Sequence, residues 1–242
     1  MTGGRRFRVA TWNIHSGIGA DGRHDPQRIR ETIRRFGASF TALQEVDGRV
    51  NGYDGFRDLS PSGAAGIACA RTIRTGAGDY GHMLLSEWPL LRQEIYDLSV
   101  AGRESRSLID AVADTGTGLV RVLSTHLGLS PAERRHQVAR LLGLVHGESM
   151  PVVLLGDFNE PISLGPASRP LKAVFQRAGS WRTFPSRRPV FALDRIWCSH
   201  DLIVERSWVV RKARLASDHL PLLADLRLAA PGAAGKTAQT DS

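Results

Sequence analysis

Short apolar runs alternate with a few amphipathic segments along most of the chain. The run FRVATWN (7–13) is rich in β-branched and aromatic residues and predicts a first strand. A helix is predicted next, because Asp25 supplies an N-cap, Pro26 suits the first helical position and Gly37 provides a stop. The run SFTALQEV (39–46) predicts a second strand, so the chain opens with a β-α-β unit.

Further strands fill the rest of the chain, separated by Gly, Asp and Pro. A helix is predicted over 131–145, where Ser130 and Glu133 have capping-box spacing, and another near 166–178. The run MPVVLLGDFN (150–159) is continuously apolar before it turns polar, which is typical of a strand buried on both faces. The remaining predicted strands are 66–70, 82–86, 92–98, 107–114, 118–127, 195–199, 203–210 and 220–228.

No linker or repeat divides the 242 residues. We expect one domain over 7–228, with a flexible N-terminus (1–6) and a disordered polar tail (229–242). Cys69 and Cys198 lie in apolar runs and are predicted to be buried thiols instead of a disulfide. No run of about 18 apolar residues indicates a membrane span, and no signal-peptide core is visible. The expectation is a cytoplasmic monomer.

The charge of the chain favours acidic partners. The formal net charge is +8 and the pI is about 10.4, which suits nucleic acid, anionic lipid headgroups or soluble phosphates. The arginines occur along the whole chain and not in one block, so a general preference for arginine explains the charge equally well. Charge therefore supports a phosphate-bearing substrate without choosing one.

Polar side chains repeatedly follow the apolar runs. Asp157 and Asn159 come two residues apart after a strand, so in extended geometry they project to the same side. A carboxylate there can position or deprotonate water, and an amide can donate to a developing phosphorane oxygen. Asn13, Glu45 and His126 also stand where strands end, which is where ligand sites of α/β sheets form. Each residue taken alone also fits an ordinary turn.

His219 follows Asp218 immediately before the last strand, and imidazole suits proton transfer or contact with phosphate charge. It needs an orienting carboxylate, for which Asp194 is the candidate. Adjacent extended residues point apart, so Asp218 is expected to bind elsewhere, to a second histidine or to a metal. His126 is the natural second histidine.

Asn13 and Glu45 supply the oxygen ligands that Mg²⁺ tolerates while it keeps several waters. No Cys/His cluster has zinc spacing. His15 is expected to be peripheral to this site.

Taken in order, WNIH, LQEV, YGHMLLSEWP, THLGL followed by RRHQ, GDFNEP, LDRIW and SDHLP resemble the endonuclease/exonuclease/phosphatase superfamily. Its members include pancreatic deoxyribonuclease, abasic-site endonucleases, neutral sphingomyelinases and inositol-polyphosphate 5-phosphatases. The resemblance spans roughly 7–228. It implies a four-layered α/β sandwich with two mixed β-sheets packed face to face and helices outside. It also implies hydrolysis of a phosphate ester with Mg²⁺ or Mn²⁺.

The resemblance also implies a role for each matching residue. For the metal, Glu45 is similar to the principal ligand, with Asn13 and Asp218 beside it. For the chemistry, Asp157 resembles the carboxylate that acts on water and Asn159 the amide that stabilises the phosphate. The remaining implied roles are His219 paired with Asp194, His126 in contact with the phosphate, and Arg106 as a basic residue facing the cleft.

Two positions depart from the pattern of related small members. His82 stands where asparagine is common, and Glu87 where a basic residue is frequent. Both departures concern substrate contacts and leave the expected chemistry unchanged.

Three functions compete at this stage. The first is a general phosphodiesterase or phosphatase that acts on a small or lipid-linked phosphate. The second is a DNA endonuclease or exonuclease, including the abasic-site type; the net charge favours it, but no aromatic and basic insertion loop is evident. The third is a non-catalytic module that binds phosphorylated partners, which the intact set of catalytic residues disfavours.

Overall fold

The computed structural model describes residues 5–50, 52–60, 64–162 and 165–229, which form two six-stranded mixed sheets. The first sheet has the order β11 (Leu202–Val209), β12 (Leu222–Leu228), β1 (Arg6–Asn13), β2 (Phe40–Asp47), β4 (Gly78–Ser86) and β3 (Gly66–Thr75). The second has the order β5 (Leu90–Asp97), β6 (Ser107–Asp114), β7 (Leu119–His126), β8 (Val152–Asp157), β10 (Asp194–Cys198) and β9 (Gln176–Arg177).

The main core lies between the two sheets. Alternate side chains of each strand point inward, so Val9 and Leu84 of the first sheet share one cluster with Ile109, Val122 and Leu155 of the second. These side chains are fully buried. The continuous apolar run that predicts β8 follows from this arrangement, because β8 is covered on both faces.

Helices cover the two outer faces. On the first sheet, α1 (Pro26–Arg34) and the short α2 (Gly55–Asp58) pack in one apolar cluster. On the second, α3 (Pro131–Val145) and α4 (Ser168–Leu171) pack in another. The order of layers is therefore helix, sheet, sheet, helix, and the predicted four-layered α/β sandwich is confirmed.

The predicted helix starts are confirmed in atomic detail. The Asp25 carboxylate accepts a hydrogen bond from the amide of Arg28 at the start of α1. At α3, Ser130 and Glu133 form the reciprocal capping box, each side chain accepting from the other residue's backbone amide.

The helix predicted near 166–178 is wrong over most of its length. Only Ser168–Leu171 is helical, and Gln176–Arg177 instead forms the edge strand β9 against β10. The exposed edge of β10 needs hydrogen-bond partners, which this segment supplies; the Ala178 amide, for example, donates to the Ile196 carbonyl. Such a long-range requirement outweighs local helical periodicity.

The ends of the chain fall largely outside the described residues, so the predicted boundaries at 1–6 and 229–242 stay predictions. Strand β1 begins at Arg6, one residue earlier than the sequence pattern predicts. Both thiols are free and Cys198 is buried, as predicted, but Cys69 is only half-buried. Within the described part of the chain, no helix is long and apolar enough to span a bilayer.

The topology brings several strand ends to one edge of the sandwich. Strands β1 and β2 run parallel in the first sheet, and β7 and β8 run parallel in the second. His126 and Asp157 are register partners at the ends of β7 and β8, and Asp194 at the start of β10 pairs with Asp157. Parallel neighbours end together, so their terminal side chains converge.

A test of the first sheet concerns Asp225, which accepts hydrogen bonds from Arg8 and Arg206 on the neighbouring strands. Burial raises the pKa of Asp225, but the two guanidinium groups outweigh it and the net pKa is lowered. Its contribution to stability is therefore complete above about pH 3.9, the ordinary pKa, and is lost as the pH falls through the lowered folded-state pKa. Asp225→Asn should lose about 1–2 kcal/mol of unfolding free energy at neutral pH.

Urea unfolding from neutral to acidic pH measures this effect, and the difference from the parent protein should vanish in acid. Asp201→Asn is the matched control, since the described residues offer Asp201 no ion pair. A difference for Asp225→Asn that stayed constant with pH would contradict the ion-pair explanation.

Candidate active site

Asn13 joins the two sheets at the edge where the strand ends meet. Its amide nitrogen donates to Glu45 Oε1 at 2.8 Å and to Asp157 Oδ2 at 3.0 Å. Its amide oxygen accepts from the backbone amide of His15 at 3.0 Å. The structure thus places Asn13 beside Glu45, as the resemblance implies, with its nitrogen and not its oxygen directed at the carboxylates. Whether Asn13 and Glu45 bind a metal stays a prediction.

Glu45 reaches the cleft through a β-bulge. The register between β2 and β4 shifts at this residue, which is left without a register partner and has a φ of 56°. His15, Ser16 and Asn159 are the other non-glycine residues with positive φ in the described part of the chain. All four lie in or next to the cleft, and such conformations cluster at functional sites because the surrounding structure must enforce them.

His219 is oriented by a buried carboxylate. Its Nδ1 is 2.8 Å from Asp194 Oδ2, and its Nε2 is 3.8 Å from Asp157 Oδ2. Burial opposes a charge on this ring, but the carboxylates of Asp194 and Asp157 outweigh it and raise the pKa of His219 to about 10. The imidazole therefore carries a proton at neutral pH, and its Nε2 faces the centre of the cleft.

His126, unlike His219, is uncharged at neutral pH. Its Nε2 is 3.1 Å from Asn159 Nδ2, an amide that also donates to the Leu127 carbonyl at 2.9 Å. Burial lowers the pKa of His126 to about 3, so the ring is neutral and Nε2 accepts the amide proton. The two histidines flank Asp157, one at 3.7 Å and one at 3.8 Å. One face of the carboxylate therefore meets a neutral ring and the other a charged ring.

Carboxylates accumulate around Glu45. Burial raises the pKa of Glu45, and repulsion from Asp157 and Asp218 raises it further, although the Asn13 hydrogen bond opposes both effects. Asp218 Oδ1 also lies 3.7 Å from His15 Nδ1. A buried carboxylate beside two others favours a cation, and the all-oxygen donor set suits Mg²⁺ or Mn²⁺. These residues therefore fit a divalent ion.

A second group of acidic residues and histidine is compact enough to bind a metal. Ligand atoms of Asp157, Asp194 and His219 all lie within 4.8 Å of one another. Within this group, His219 Nδ1 is already engaged with Asp194. The geometry is therefore better explained as an aspartate-histidine pair facing a second carboxylate, that of Asp157.

Arg106 and His82 lie on the other side of His126. His82 is buried, its Nε2 is 2.9 Å from Ser107 Oγ, and burial lowers its pKa to about 3. The positive charge of Arg106 contributes to the lowered pKa of both His82 and His126, so the guanidinium lies near both rings. Its Nη1 and Nη2 contact the Glu104 carboxylate. The predicted role of Arg106 toward a substrate is not tested by these contacts.

Three supporting residues are not identified as site residues from the sequence, although Trp12 and Ser217 stand in the WNIH and SDHLP motifs. The Trp12 indole donates to the His219 carbonyl at 3.0 Å and fixes the backbone of that histidine. Ser217 Oγ donates to the Asn13 carbonyl at 2.8 Å, which ties that loop to β1. The Phe184 ring packs on the His219 ring at a centroid distance of 4.8 Å. Each contact joins segments far apart in sequence.

The chain belongs to the endonuclease/exonuclease/phosphatase family, because the family's sequence model matches residues 10–219, nearly the whole sandwich. Proteins of this family are generally hydrolytic. The chain is also similar to the Escherichia coli K12 protein YbhP, itself uncharacterised, with 31% identity over 92% of this chain and 96% of the relative.

Solved structures of low sequence identity share the fold. An endonuclease/exonuclease/phosphatase protein of Beutenbergia cavernae superposes with a TM-score of 0.76 at 24% identity, covering 93% of this chain and 72% of that one. The mannosyl-6-phosphatase Bt3783 of Bacteroides thetaiotaomicron superposes with 0.73 at 16%, covering 91% and 99%. The human Nocturnin catalytic domain gives 0.73 at 18%, covering 92% and 94%.

Gly81 pairs with Val46, next to the bulge that presents Glu45, and the effect of a side chain at Gly81 can be tested. Gly81 lies on β4 between two register shifts, one toward β2 and one toward β3. A Cβ at this position would overlap the Ala70 carbonyl. Gly81→Ala should therefore cost at least about 2 kcal/mol of unfolding free energy and reduce activity by displacing Glu45.

Thermal unfolding and activity assays measure both effects. Gly76→Ala, in the exposed turn between β3 and β4, is the matched control because nothing lies within 4 Å of its added Cβ. Equal behaviour of the two variants would show that the bulge tolerates a side chain at Gly81.

Proposed function

We propose that this protein is a divalent-metal-dependent hydrolase of phosphate esters, with phosphodiesters as the preferred class and Mg²⁺ or Mn²⁺ as the ion. The observation that carries the proposal is the position of Asp157 between a neutral His126 and a charged, Asp194-bound His219. The cleft therefore contains a carboxylate that can bind water (Asp157), a cation that can bind phosphate (His219) and an amide in a fixed position (Asn159). The family membership supports the same class of reaction.

Each side chain has a part in the proposed reaction. Asp157 accepts a hydrogen bond from the attacking water and takes its proton as the oxygen approaches phosphorus. His219, protonated and held by Asp194, donates from Nε2 to a phosphoryl oxygen, where negative charge builds up. Both amide hydrogens of Asn159 are already bonded, one to His126 Nε2 and one to the Leu127 carbonyl, so in the proposed reaction the first hydrogen bond is transferred from His126 to the phosphoryl oxygen while the second keeps the amide in place. Water attacks in line, the ester P–O bond opposite it breaks, and the leaving alkoxide takes a proton from solvent, so no covalent enzyme intermediate forms.

A divalent cation bound at Glu45, with Asn13 and Asp218 nearby, would supply positive charge to the phosphoryl and leaving oxygens. The chain's own contribution is to keep this region anionic. Burial and the adjacent Asp157 and Asp218 make the Glu45 carboxylate costly to leave without a counter-ion.

A nuclease is the second candidate, and one loop favours it. The segment 179–193 lies beside His219, since its Phe184 packs on that ring. It exposes Trp181 and Phe191 together with Arg182, Arg187 and Arg188, an aromatic and basic surface next to the cleft. These residues are spread over 179–193, so the sequence shows no compact aromatic and basic insertion, and their contact with DNA stays a prediction.

The chemistry is tested by removing one group at a time. Asp157→Asn and His219→Gln should each lower kcat by roughly 10²–10⁴-fold, because each removes a group that acts in the transition state. Their thermal unfolding should stay cooperative. His200→Gln changes an exposed histidine and should keep full activity. A near-normal kcat in either cleft variant would refute the site assignment.

The metal is tested by chelation. EDTA should abolish turnover, and Mg²⁺ or Mn²⁺ should restore it, because the carboxylates around Glu45 then regain their counter-ion. The fold should survive EDTA, since the sandwich core contains no metal-dependent contact in the described residues. Activity that EDTA leaves untouched would remove the metal from the mechanism.

The substrate is tested with a panel: bis-p-nitrophenyl phosphate, plasmid DNA, an abasic-site oligonucleotide, sphingomyelin and inositol phosphates. We expect the small diester to be hydrolysed at least as efficiently as the plasmid. The double variant Arg187→Gln, Arg188→Gln separates the two candidates, because it removes charge from the 179–193 loop and none from the cleft. If the double variant lost plasmid nicking but kept diester hydrolysis, the nuclease would be established. If it kept the parent protein's rate on both substrates, a role for the loop in DNA binding would be excluded.

A further inference from the structure

Arg106 is already engaged by an acidic side chain at the cleft. Its Nη1 lies 2.6 Å from Glu104 Oε1 and its Nη2 lies 3.3 Å from Glu104 Oε2, a two-point ion pair. The arginine side chain is only 5% exposed, whereas that of Glu104 is 43% exposed. The remaining donor, Arg106 Nε, is buried and has no hydrogen-bond partner among the described residues. One donor of the fork therefore faces the protein interior unused.

The ion pair sits between the two sheets. On the second sheet, Arg106 precedes Ser107, whose hydroxyl contacts His82. On the first sheet, Tyr80 is affected by both members of the pair: burial raises the pKa of its phenol, and the Glu104 carboxylate adds to that effect. Glu104 also acts on Arg49, which is bound chiefly by Asp47. Antiparallel pairing of Leu108 with Thr125 puts Ser107 and Arg106 at the strand end beside His126, so the ion pair lies at the same edge of the sandwich as the cleft.

A carboxylate bound to both arms of a guanidinium has the geometry that a phosphate adopts in the same fork. The buried Nε is not open to a ligand, so a phosphate that binds Arg106 has to compete with the Glu104 carboxylate for Nη1 and Nη2. The repulsion between Glu104 and the phosphate grows with the charge on the phosphate. A phosphodiester carries one negative charge and a fully ionised phosphomonoester carries two.

We propose that Glu104 determines the substrate class of this cleft by favouring phosphodiester monoanions over phosphomonoester dianions. The inference rests on the proposed function, because it takes the cleft to bind phosphate. Glu104 keeps its place because the buried Arg106 would otherwise lack a counter-charge. The site therefore holds one arginine whose charge is largely neutralised before substrate arrives, and a second negative charge on the ligand is not compensated there.

Two inert ligands of matched size test the proposal: phenylphosphonate, a dianion at alkaline pH, and methyl(phenyl)phosphinate, a monoanion. Neither contains an ester bond, so calorimetric titration in the presence of Mg²⁺ measures binding without turnover. Glu104→Gln removes the charge and keeps the volume. Because Coulomb energy scales with ligand charge, it should tighten phosphonate binding by about tenfold and phosphinate binding by only about threefold.

Two controls separate charge from structure. Glu104→Asp retains the carboxylate and should bind both ligands like the parent protein. Glu94→Gln removes a glutamate that is paired with Arg92 on the outer strand β5, and it should change either affinity by less than about twofold at ordinary ionic strength. It changes the net charge by the same amount as Glu104→Gln.

The proposal would be overturned if Glu104→Gln left the ratio of phosphonate to phosphinate affinity unchanged, whether or not both affinities rose. It would also be overturned if neither ligand bound the protein. These outcomes are distinct from failure of the proposed function. A chain that hydrolyses phosphate esters but shows an unchanged ratio disproves the role of Glu104 alone. If the affinity ratio shifted as expected but the protein hydrolysed none of the panel, the charge discrimination would stand and the proposed hydrolase function would be disproved.

Discussion

The carboxylate of Asp157 is the point on which the arrangement of the cleft depends. One oxygen accepts from the Asn13 amide of the opposite sheet at 3.0 Å, and the other accepts from the Asn159 backbone at 2.9 Å. Burial alone would raise the pKa of Asp157, but the charge of His219 and the hydrogen bonds from Asn13 and the Asn159 backbone outweigh it and lower the pKa. A buried charge is tolerated only when hydrogen-bond donors and an opposite charge surround it. The need to satisfy this one carboxylate therefore brings both sheets and both histidines to a common centre.

The strained residues have to be held by the rest of the fold. Left-handed conformations of non-glycine residues cost on the order of 1–3 kcal/mol each, and Glu45 and Asn159 both adopt one. The apolar layers on both sides of each sheet supply the stability that allows this cost. The bulge at Glu45 and the turn at Asn159 follow strands with fully buried backbones, so the distortion is confined to the strand ends. The rigid strands thus supply the stability, and the strained residues at their ends direct the side chains into the cleft.

Apolar periodicity was sufficient to predict most strands, both long helices and the polar residues at the strand ends. It could not predict the bulge at Glu45, because the bulge is a mismatch between β2 and β4, which become neighbours only after folding. It also failed for the segment near 166–178, where part of the backbone pairs with the free edge of β10 and forms β9. The support of His219 by Trp12 joins residues 207 positions apart, and no local pattern encodes such a contact. Local sequence therefore identifies the chemical groups, and tertiary pairing determines how they are aimed.

The charge of the cleft differs in sign from that of the whole chain. The net charge is +8, yet the carboxylates of Asp157 and Asp218 are close enough to Glu45 to raise its pKa. The protonated His219 is matched by its own partner Asp194, and Arg106 is matched by Glu104. A phosphate entering such a cleft gains little attraction from side chains that are already paired. Productive binding of the anion consequently depends on a cation that offsets the carboxylates, so metal and substrate should bind with positive coupling.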